Sequence, residues 1–200
     1  MSGDERRRQL IKVAIDLFAK KGFGGTTTKE IAAAAGVTEA VIFRHFATKQ
    51  DLYQAILDSK CSREEGVDWL GEIQKLMDAD DDEGLFRFLL TKIPESDREY
   101  PQFGRVMMYA SLEGNELALM HNSQLAIPIG AKFKEYVARR QAAGALRKMD
   151  PAVVMFALAG IAIYYSTQKY LYGTGRIEIS DERVVEGFLD ILMRGLRVSE

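Results

Sequence analysis

The sequence contains very few residues that can form disulfides or bind soft metal ions. Of 200 residues, one is a cysteine, Cys61, and two are histidines, His45 and His121. A single cysteine cannot form an intramolecular disulfide, and these side chains are too few for a structural zinc or iron–sulfur site. We therefore expect a cytoplasmic protein that holds no metal ion and no cofactor.

Apolar segments long enough for a signal or a membrane span are equally scarce. The first eight residues include three arginines, but no apolar run follows a basic flank there. The only long uncharged segment is residues 151–168, eighteen residues whose last three are polar. Crossing a bilayer takes about 20 apolar residues. A soluble helix that is buried on nearly every side, as at a subunit interface, has the same composition, and we favour it over a membrane span.

The chain also lacks a large net charge, which argues against a protein that coats nucleic acid along its whole length. The total is −2, and the balance of 47% hydrophobic and 28% charged residues is that of a globular protein. This average conceals an asymmetry: residues 1–50 have nine basic and five acidic residues, whereas residues 51–200 have eighteen basic and twenty-four acidic ones. A basic amino-terminal part that contacts a polyanion, attached to an acidic body, would have this distribution.

Strand patterns are absent as well. Apolar residues recur at three- and four-residue spacings, and no segment shows sustained two-residue alternation between turns. The sequence therefore predicts an all-α protein of about nine helices. The first three are predicted at residues 4–21, 29–35 and 39–46, with glycines between them and threonines as caps. Two very short helices joined by a glycine-containing turn form a helix-turn-helix.

The later helices are predicted to be longer. A fourth helix from Lys49 to about Met77 fuses a helix-turn-helix domain of residues 1–50 to a helical domain of residues 51–200. Asp150 and Pro151 supply a cap and a proline at the first helical position, so a helix begins there. The remaining helices are predicted near residues 83–93, 100–114, 116–143 with a bend at Pro128, 151–172 and 180–197.

The third helix has an outer face that suits a DNA groove. With Ile42 and Phe46 pointing inward, Ala40 and Arg44 point outward. Alanine permits close approach to the duplex, and arginine can bind guanine or phosphate. An ordinary surface helix can have the same face, so this pattern alone does not decide between the two.

A longer motif surrounds this helix. It consists of TTTKEIA at residues 26–32, AGVT at residues 35–38, IFRHF at residues 42–46, Lys49, and Leu52 with Tyr53. In order, spacing and residue type this motif resembles the TetR family of bacterial transcriptional repressors, over about residues 8–57. The resemblance implies an amino-terminal DNA-binding domain, a helical effector-binding domain and a homodimer joined by the last two helices.

The resemblance implies roles for individual residues. Thr28 and Lys49 match residues that contact DNA phosphates at helix amino termini, where free N–H groups point outward. The positions that match residues that read bases or bind the DNA backbone are Val37, Thr38, Glu39, Phe43, Arg44 and His45, and Ala40 stands beside them.

Three positions depart from the common family pattern. Glu39 stands where lysine is frequent, Ala40 where glycine is frequent and Arg44 where tyrosine is frequent. An acidic side chain near DNA either accepts a hydrogen bond from a cytosine amino group or excludes other bases by repulsion. His45 has open alternatives too, since it can pack, contact phosphate or read a base.

Aromatic and methionine side chains are frequent in the carboxy-terminal part, and the resemblance implies that some line a cavity for a small hydrophobic or aromatic effector. The alternative for each of them is ordinary core packing. Glu113 and His121 are candidate polar partners of the effector. The other candidate pocket residues are Trp69, Phe86, Phe103, Met107, Tyr109, Met120, Phe133, Phe156 and Tyr164.

These features together predict a ligand-responsive transcriptional repressor that binds a near-palindromic operator in double-stranded DNA as a homodimer. One alternative is a dimeric DNA-binding regulator without a small-molecule effector. An all-helical enzyme is a weaker alternative, because the sequence shows no activated nucleophile and no paired acid and base.

Overall fold

The computed structural model describes residues 2–61, 69–114, 126–172 and 177–198. In these residues it shows ten α-helices, one π-helical turn and no β-strand, which confirms the predicted all-α class. The α-helices are α1 (Gly3–Lys21), α2 (Thr28–Ala35), α3 (Glu39–His45), α4 (Lys49–Cys61), α5 (Trp69–Asp78), α6 (Asp82–Glu99), α7 (Pro101–Leu112), α8 (Ile127–Ala142), α9 (Pro151–Ser166) and α10 (Asp181–Leu196), and the π-helical turn is Thr167–Leu171.

Local side chains define both ends of the first two helices. Ser2 caps α1 and Thr27 caps α2, each in a reciprocal capping box with the glutamate three residues later. Gly36 ends α2 with a φ of 67°, a left-handed conformation that glycine adopts without steric cost. These boundaries lie within one or two residues of the predicted ones.

Proline is tolerated inside α6, where the predicted helix was too short. The prediction ended this helix at Ile93, but α6 continues through Pro94 to Glu99. A proline removes one helical hydrogen bond. Pro94 is buried in the core of its unit, so its packing offsets that loss.

Two other predicted features extend beyond the residues that the structure describes. The predicted continuity of the fourth helix to Met77 involves residues 62–68, and a helix with a bend at Pro128 involves residues 115–125. In the described part, Pro128 lies in the first turn of α8.

The described residues form two compact units, each with its own core. The first, called the amino-terminal unit below, contains residues 2–61 and 102–114; the second, called the body, contains residues 69–101, 126–172 and 177–198. In the amino-terminal unit, α1 to α4 and most of α7 surround one apolar cluster. Its most buried members are Leu10, Phe18, Ile31, Ile42, Leu52, Tyr53, Ile56 and Val106.

The body is arranged around α6, which packs against α9, α10 and α5. A second apolar cluster fills this unit, and Leu85, Phe86, Leu90, Val137 and Val154 are among its most buried members.

The helix predicted from the long uncharged segment is strongly apolar, and much of it is exposed. Pro151–Leu171 is long and apolar enough to cross a membrane, with a mean hydropathy of 1.3 over 18 residues, of which 28% are buried. One side of α9 packs into the body through Val154 and Leu158. The opposite side carries four exposed apolar residues, Val153, Phe156, Ile163 and Tyr164, which we call the α9 apolar face.

Candidate nucleic-acid interface

The outer face of α3 is open to solvent, as the sequence predicts. Ile42 and Phe46 are buried in the core of the amino-terminal unit, with 0% and 3% of their surface exposed. Ala40 and Arg44 are exposed, and Phe43 between them has 48% of its surface exposed. An aromatic ring this exposed on a packed helix is available for contact with another molecule.

The amino terminus of α2 lies beside that of α3. Thr27 caps α2, and the first backbone N–H groups of a helix have no partner within it. The hydroxyl of Thr28 donates a hydrogen bond to Oε2 of Glu39 at 2.6 Å. This bond joins the first residues of the two helices and fixes the Glu39 side chain at the turn.

The acidic side chain in the first turn of α2 is neutralised by a neighbour. Lys21 binds Glu30 at 2.6 Å. The hydrogen bonds from Lys21 and Thr27 lower the pKa of Glu30 to about 2, so its carboxylate stays charged at neutral pH. Since Lys21 compensates this charge, Glu39 is the carboxylate at this surface for which the described residues show no cationic partner.

Lys49 has a structural role that the sequence did not indicate. Its ammonium group donates to the carbonyl oxygens of Phe23 at 2.7 Å and Thr26 at 2.8 Å, and lies 3.9 Å from the centre of the Phe23 ring. Burial lowers the pKa of Lys49 below its ordinary value, and the nearby Glu113 carboxylate opposes this shift. Since an ammonium group has three protons, one remains for the phosphate contact, which stays a prediction.

The loop that leads into α2 is held from a second side by the end of α7. The Glu113 carboxylate accepts hydrogen bonds from the backbone N–H groups of Phe23 and Gly24, both at 3.3 Å. The Tyr109 hydroxyl donates to the carbonyl oxygen of Lys20 at 3.3 Å. We call Lys49, Tyr109 and Glu113 the loop clamp. It holds the segment that places the amino terminus of α2.

Gly22 has a backbone conformation that favours glycine. Its φ is +71°, and a Cβ atom there would lie 2.3 Å from Oε1 of Glu113. The backbone conformation therefore favours glycine at this position, and a larger residue would displace the Glu113 carboxylate from its place in the loop clamp.

The remaining predicted DNA-binding residues occupy different environments. Thr38 precedes α3 and is exposed, with no side-chain hydrogen bond that caps the helix. Val37 and His45 are half-buried; Val37 packs against the core, and the His45 ring lies 6.4 Å from that of Phe46. The open face of α3 is therefore formed by Thr38, Ala40, Phe43 and Arg44, and its rim by Thr28, Glu39 and His45.

Comparison with known proteins identifies this helix-turn-helix region. The family model for bacterial regulatory proteins of the tetR family matches residues 10–56, which include all of α2 and α3. The helix-turn-helix region of this chain is therefore similar to that of the TetR family.

Sequence similarity to other regulators is concentrated in this region. YvkB from Bacillus subtilis (strain 168), an uncharacterized HTH-type transcriptional regulator, is 47% identical over 55 residues, which are 28% of this chain and 29% of YvkB. This match thus spans less than a third of YvkB. RutR from Escherichia coli (strain K12), an HTH-type transcriptional regulator, is 25% identical over 205 residues, 96% of this chain and 91% of RutR.

The fold is shared along the whole chain with solved TetR-family structures. NalD, the secondary repressor of the MexAB-OprM multidrug efflux pump in Pseudomonas aeruginosa, superposes with a TM-score of 0.74 at 20% identity, over 100% of both chains. At this identity the likeness shows the fold alone. These relatives are transcriptional regulators and not enzymes, which confirms the expectation of a non-enzymatic protein.

The predicted effector residues are not gathered around one described cavity. Half-buried Trp69 packs edge-on against Phe88 at 6.1 Å in the body. The other candidates fall into four groups: Phe86 and Phe133, buried in the body core; Phe103, Met107 and Tyr109, on α7 in the amino-terminal unit; Phe156 and Tyr164, exposed on α9; and Met120 and His121, which lie outside the described residues.

The two cavities of the body are lined mainly by charged side chains and contain none of these candidates. One, of about 450 Å³, lies beside Asp80–Glu83 and Arg197, and the other, of about 220 Å³, lies between α6 and α10. In the larger cavity, Arg140 donates two hydrogen bonds to Asp82 at 2.9 Å. Within the described parts of the chain, no three metal-binding side chains lie close enough together to hold an ion.

The roles of Lys49, Tyr109 and Glu113 in the loop clamp were missed from the sequence. Glu113 was considered only as a polar partner of an effector and Tyr109 only as a pocket residue. Glu113 contacts the loop before α2 and Tyr109 contacts the last turn of α1, each about 90 positions away in the sequence, and local periodicity contains no signal for such a pairing.

Proposed function

We propose that this protein is a TetR-family transcriptional repressor that binds a near-palindromic DNA operator as a homodimer and releases it when a small hydrophobic molecule binds. In this proposal residues 1–50 read DNA, and residues 51–200 bind the effector and form the dimer. The observation that carries it is the open face of α3. This face presents Arg44 and the exposed ring of Phe43 on a helix whose inner side is anchored in the core by Ile42 and the following Phe46.

The residues of this face have the chemistry to read a major groove. An arginine can donate two hydrogen bonds to guanine, and an apolar side chain such as Phe43 can contact the methyl group of thymine. Ala40 lets the helix approach the base edges. The free N–H groups at the start of α2 and the remaining ammonium proton of Lys49 would bind phosphates.

The dimer is supported by the α9 apolar face. Phe156 and Tyr164 each expose 69% of their surface, and Ile191 on α10 exposes 67%. A second copy of α9 and α10 would cover these side chains in a four-helix interface, which is a common arrangement for apolar helices. A dimer also explains the apolar composition of α9 without a membrane, and we propose a cytoplasmic location for the protein.

A two-fold symmetric dimer should select a symmetric site. The test is selection from a pool of random duplexes, which should enrich two inverted half-sites on one face of the DNA. Arg44→Ala should then lose about 1–3 kcal/mol of discrimination at one position of each half-site. If the wild-type protein enriched no motif, or Arg44→Ala bound the same motif equally well, the placement of α3 on DNA would be wrong.

The effector is the least constrained part of the proposal. The half-buried Trp69 and Phe88 are the side chains of the body best suited to contact a flat apolar ligand. The two described cavities have mainly charged linings, which do not suit an apolar ligand, and a regulator without a small-molecule effector stays the alternative. A thermal-shift screen distinguishes them, because a ligand that binds only the folded state raises the melting temperature. A hydrophobic hit should also change the fluorescence of Trp69 and weaken operator binding.

A further inference from the structure

Glu39 is the only acidic side chain on α3, and it stands at the edge of the face that is proposed to meet DNA. A carboxylate in this position repels the phosphates of the duplex. Its presence is therefore costly for DNA binding in general, unless it makes a specific contact that offsets this repulsion.

The structure shows how this carboxylate is held. Oε2 of Glu39 accepts the hydroxyl proton of Thr28 at 2.6 Å. A hydroxyl has only one proton, so while this bond exists Thr28 can bind a phosphate through its backbone N–H but not by donation from its side chain. The hydroxyl of Thr28, a predicted phosphate-contacting residue, therefore orients the Glu39 carboxylate instead of binding a phosphate.

The second oxygen, Oε1, accepts no hydrogen bond from the described residues, and the Glu39 side chain is only half-buried. The flanking residues Thr38 and Ala40 are both exposed, so Oε1 belongs to the open rim of the α3 face. One oxygen is thus fixed by the protein, and the other is available to a base.

The chemistry of an ionised carboxylate restricts which base it can meet. It accepts hydrogen bonds and donates none. In the major groove guanine presents two acceptors and thymine presents an acceptor and a methyl group, so both are unfavourable partners. Adenine has an amino donor next to the N7 acceptor, whereas cytosine presents its amino donor alone. Cytosine is the base that matches a carboxylate without an opposing acceptor.

We propose that Glu39 selects cytosine at one symmetry-related position of each half-site, and that Thr28 is the positioning residue that orients its carboxylate. This inference rests on the proposed function, because it requires α3 to lie in the major groove. It goes beyond that function by naming the base and the residue pair that reads it.

The experiment is selection from a random duplex pool with the full-length wild-type protein, followed by binding to duplexes that differ at single positions. Wild type should prefer cytosine at one position of each half-site by about tenfold or more, the range of a good base contact. Glu39→Gln should transfer this preference to adenine, which pairs with an amide through two hydrogen bonds.

Matched variants separate orientation from charge. Thr28→Val keeps the shape of the side chain but removes the hydroxyl. It should reduce the preference for cytosine, while the base preferences at the other operator positions stay unchanged. Thr28→Ser keeps the hydroxyl and should retain the preference for cytosine. Asp16→Asn removes one negative charge from an exposed site on α1, so it should raise affinity for all duplexes as Glu39→Gln does but leave the base preferences unchanged. Glu39→Asp keeps the charge with a shorter reach, and it should lose the preference.

The outcomes distinguish this inference from the function on which it rests. If wild type selects a near-palindrome in which no position changes with Glu39→Gln or Glu39→Asp, the inference is overturned and the proposed function stands. If Glu39→Gln changes the base but Thr28→Val has no effect on it, the positioning role of Thr28 is overturned. If wild type enriches no motif, the proposed function fails, and the inference fails with it.

Discussion

The amino-terminal unit and the body stabilise their helices by different means. In the amino-terminal unit, α2 has 8 residues and α3 has 7. Isolated helices of this length do not form in water, because the few hydrogen bonds they contain do not offset the unfavourable free energy of helix nucleation. The capping box at Thr27 and the loop clamp support α2, and the buried side chain of Ile42 packs α3 against the core of the unit. In the body, α6 has 18 residues and α9 has 16, and broad apolar surfaces hold them together.

The two units also differ in what they expose. The open side of α3 combines an arginine with small and aromatic side chains, whereas the open side of α9 is almost wholly apolar. A charged and sterically open face suits a polyanion, and an apolar face suits another protein surface. The comparison therefore supports the proposal that one unit contacts DNA and the other forms the dimer.

The largest effect is expected where the amino-terminal unit depends on core packing. Ile42→Ala deletes a fully buried side chain and should lower the free energy of unfolding by about 2–5 kcal/mol. Phe43→Ala is the matched neighbour, and with 48% of its surface exposed it should cost much less stability but still weaken DNA binding. Urea denaturation and operator titration of both variants check this, and equal losses of stability would contradict the assignment of inner and outer faces.

The next largest effect is expected on the free energy of self-association, where a single charged substitution should abolish the dimer. Phe156→Glu places a charge on the α9 apolar face and should weaken self-association by at least about 2 kcal/mol, because a buried unpaired charge is costly. Static light scattering at micromolar concentration should give the mass of two chains for wild type and one for the variant. Glu186→Gln, at an exposed polar position of α10, is the control and should stay dimeric. A wild-type mass of one chain would refute the interface.

Loss of the Lys49 side chain tests the loop clamp. Lys49→Met keeps an apolar stem but leaves the carbonyl oxygens of Phe23 and Thr26 without this donor, which should cost about 1 kcal/mol of stability. If Lys49 also contacts a phosphate, the variant should show a second effect. The plot of log affinity against log salt concentration should become less steep by about 0.9 for each Lys49–phosphate contact that is lost. An unchanged slope together with lower stability would assign Lys49 to the clamp alone.

Glu113→Gln should have a weaker effect on the same loop. The amide keeps one acceptor oxygen but loses the charge and the second acceptor, so we expect a loss of about 0.5–1 kcal/mol. Hydrogen exchange of the Phe23 and Gly24 amides should accelerate, while amides in the body core stay protected. Uniform acceleration across both units would show that Glu113 acts on global stability instead.

The smallest expected effect is a loss of stability of the body at low pH. Although burial by itself raises it, the pKa of Asp181 is lowered to about 2 by hydrogen bonds from Lys169, Tyr165 and Tyr170. A carboxylate whose pKa is lower in the folded state stabilises that state above its unfolded pKa, and this contribution disappears as pH falls through the folded value. Stability should therefore decline between about pH 4 and pH 2. Asp181→Asn should flatten this decline, and an identical profile would contradict it.

Much of the fold follows from local patterns in the sequence. The first three helices and the breaks at Gly22 and Gly36 were predicted within one or two residues, because periodicity and helix-breaking glycines involve only neighbours along the chain. Thr27 caps α2 as predicted, whereas the predicted cap Thr38 makes no side-chain hydrogen bond to α3. The inward direction of Ile42 and Phe46 was predicted in the same way. The resemblance to the TetR family followed from a motif confined to these helices.

Other features depended on contacts that periodicity does not encode. Ile161 and Phe156 belong to the same apolar segment, but Ile161 is half-buried against the body core, whereas Phe156 is exposed. An almost uniformly apolar helix such as α9 gives no indication of which side faces the core. The passage of α6 through Pro94 likewise depends on the packing around the proline.

The sequence by itself determined the first three helices, most of their ends and the residues on the outer face of α3, since each depends on spacings of a few residues. Only the tertiary structure decided that Thr28 binds Glu39, 11 positions away, that Lys49 binds Phe23, 26 positions away, and that Glu113 binds Phe23, 90 positions away. A hydrogen bond between distant residues forms because packing brings its two groups together and partly excludes water from them. Neither condition exists until the chain has folded.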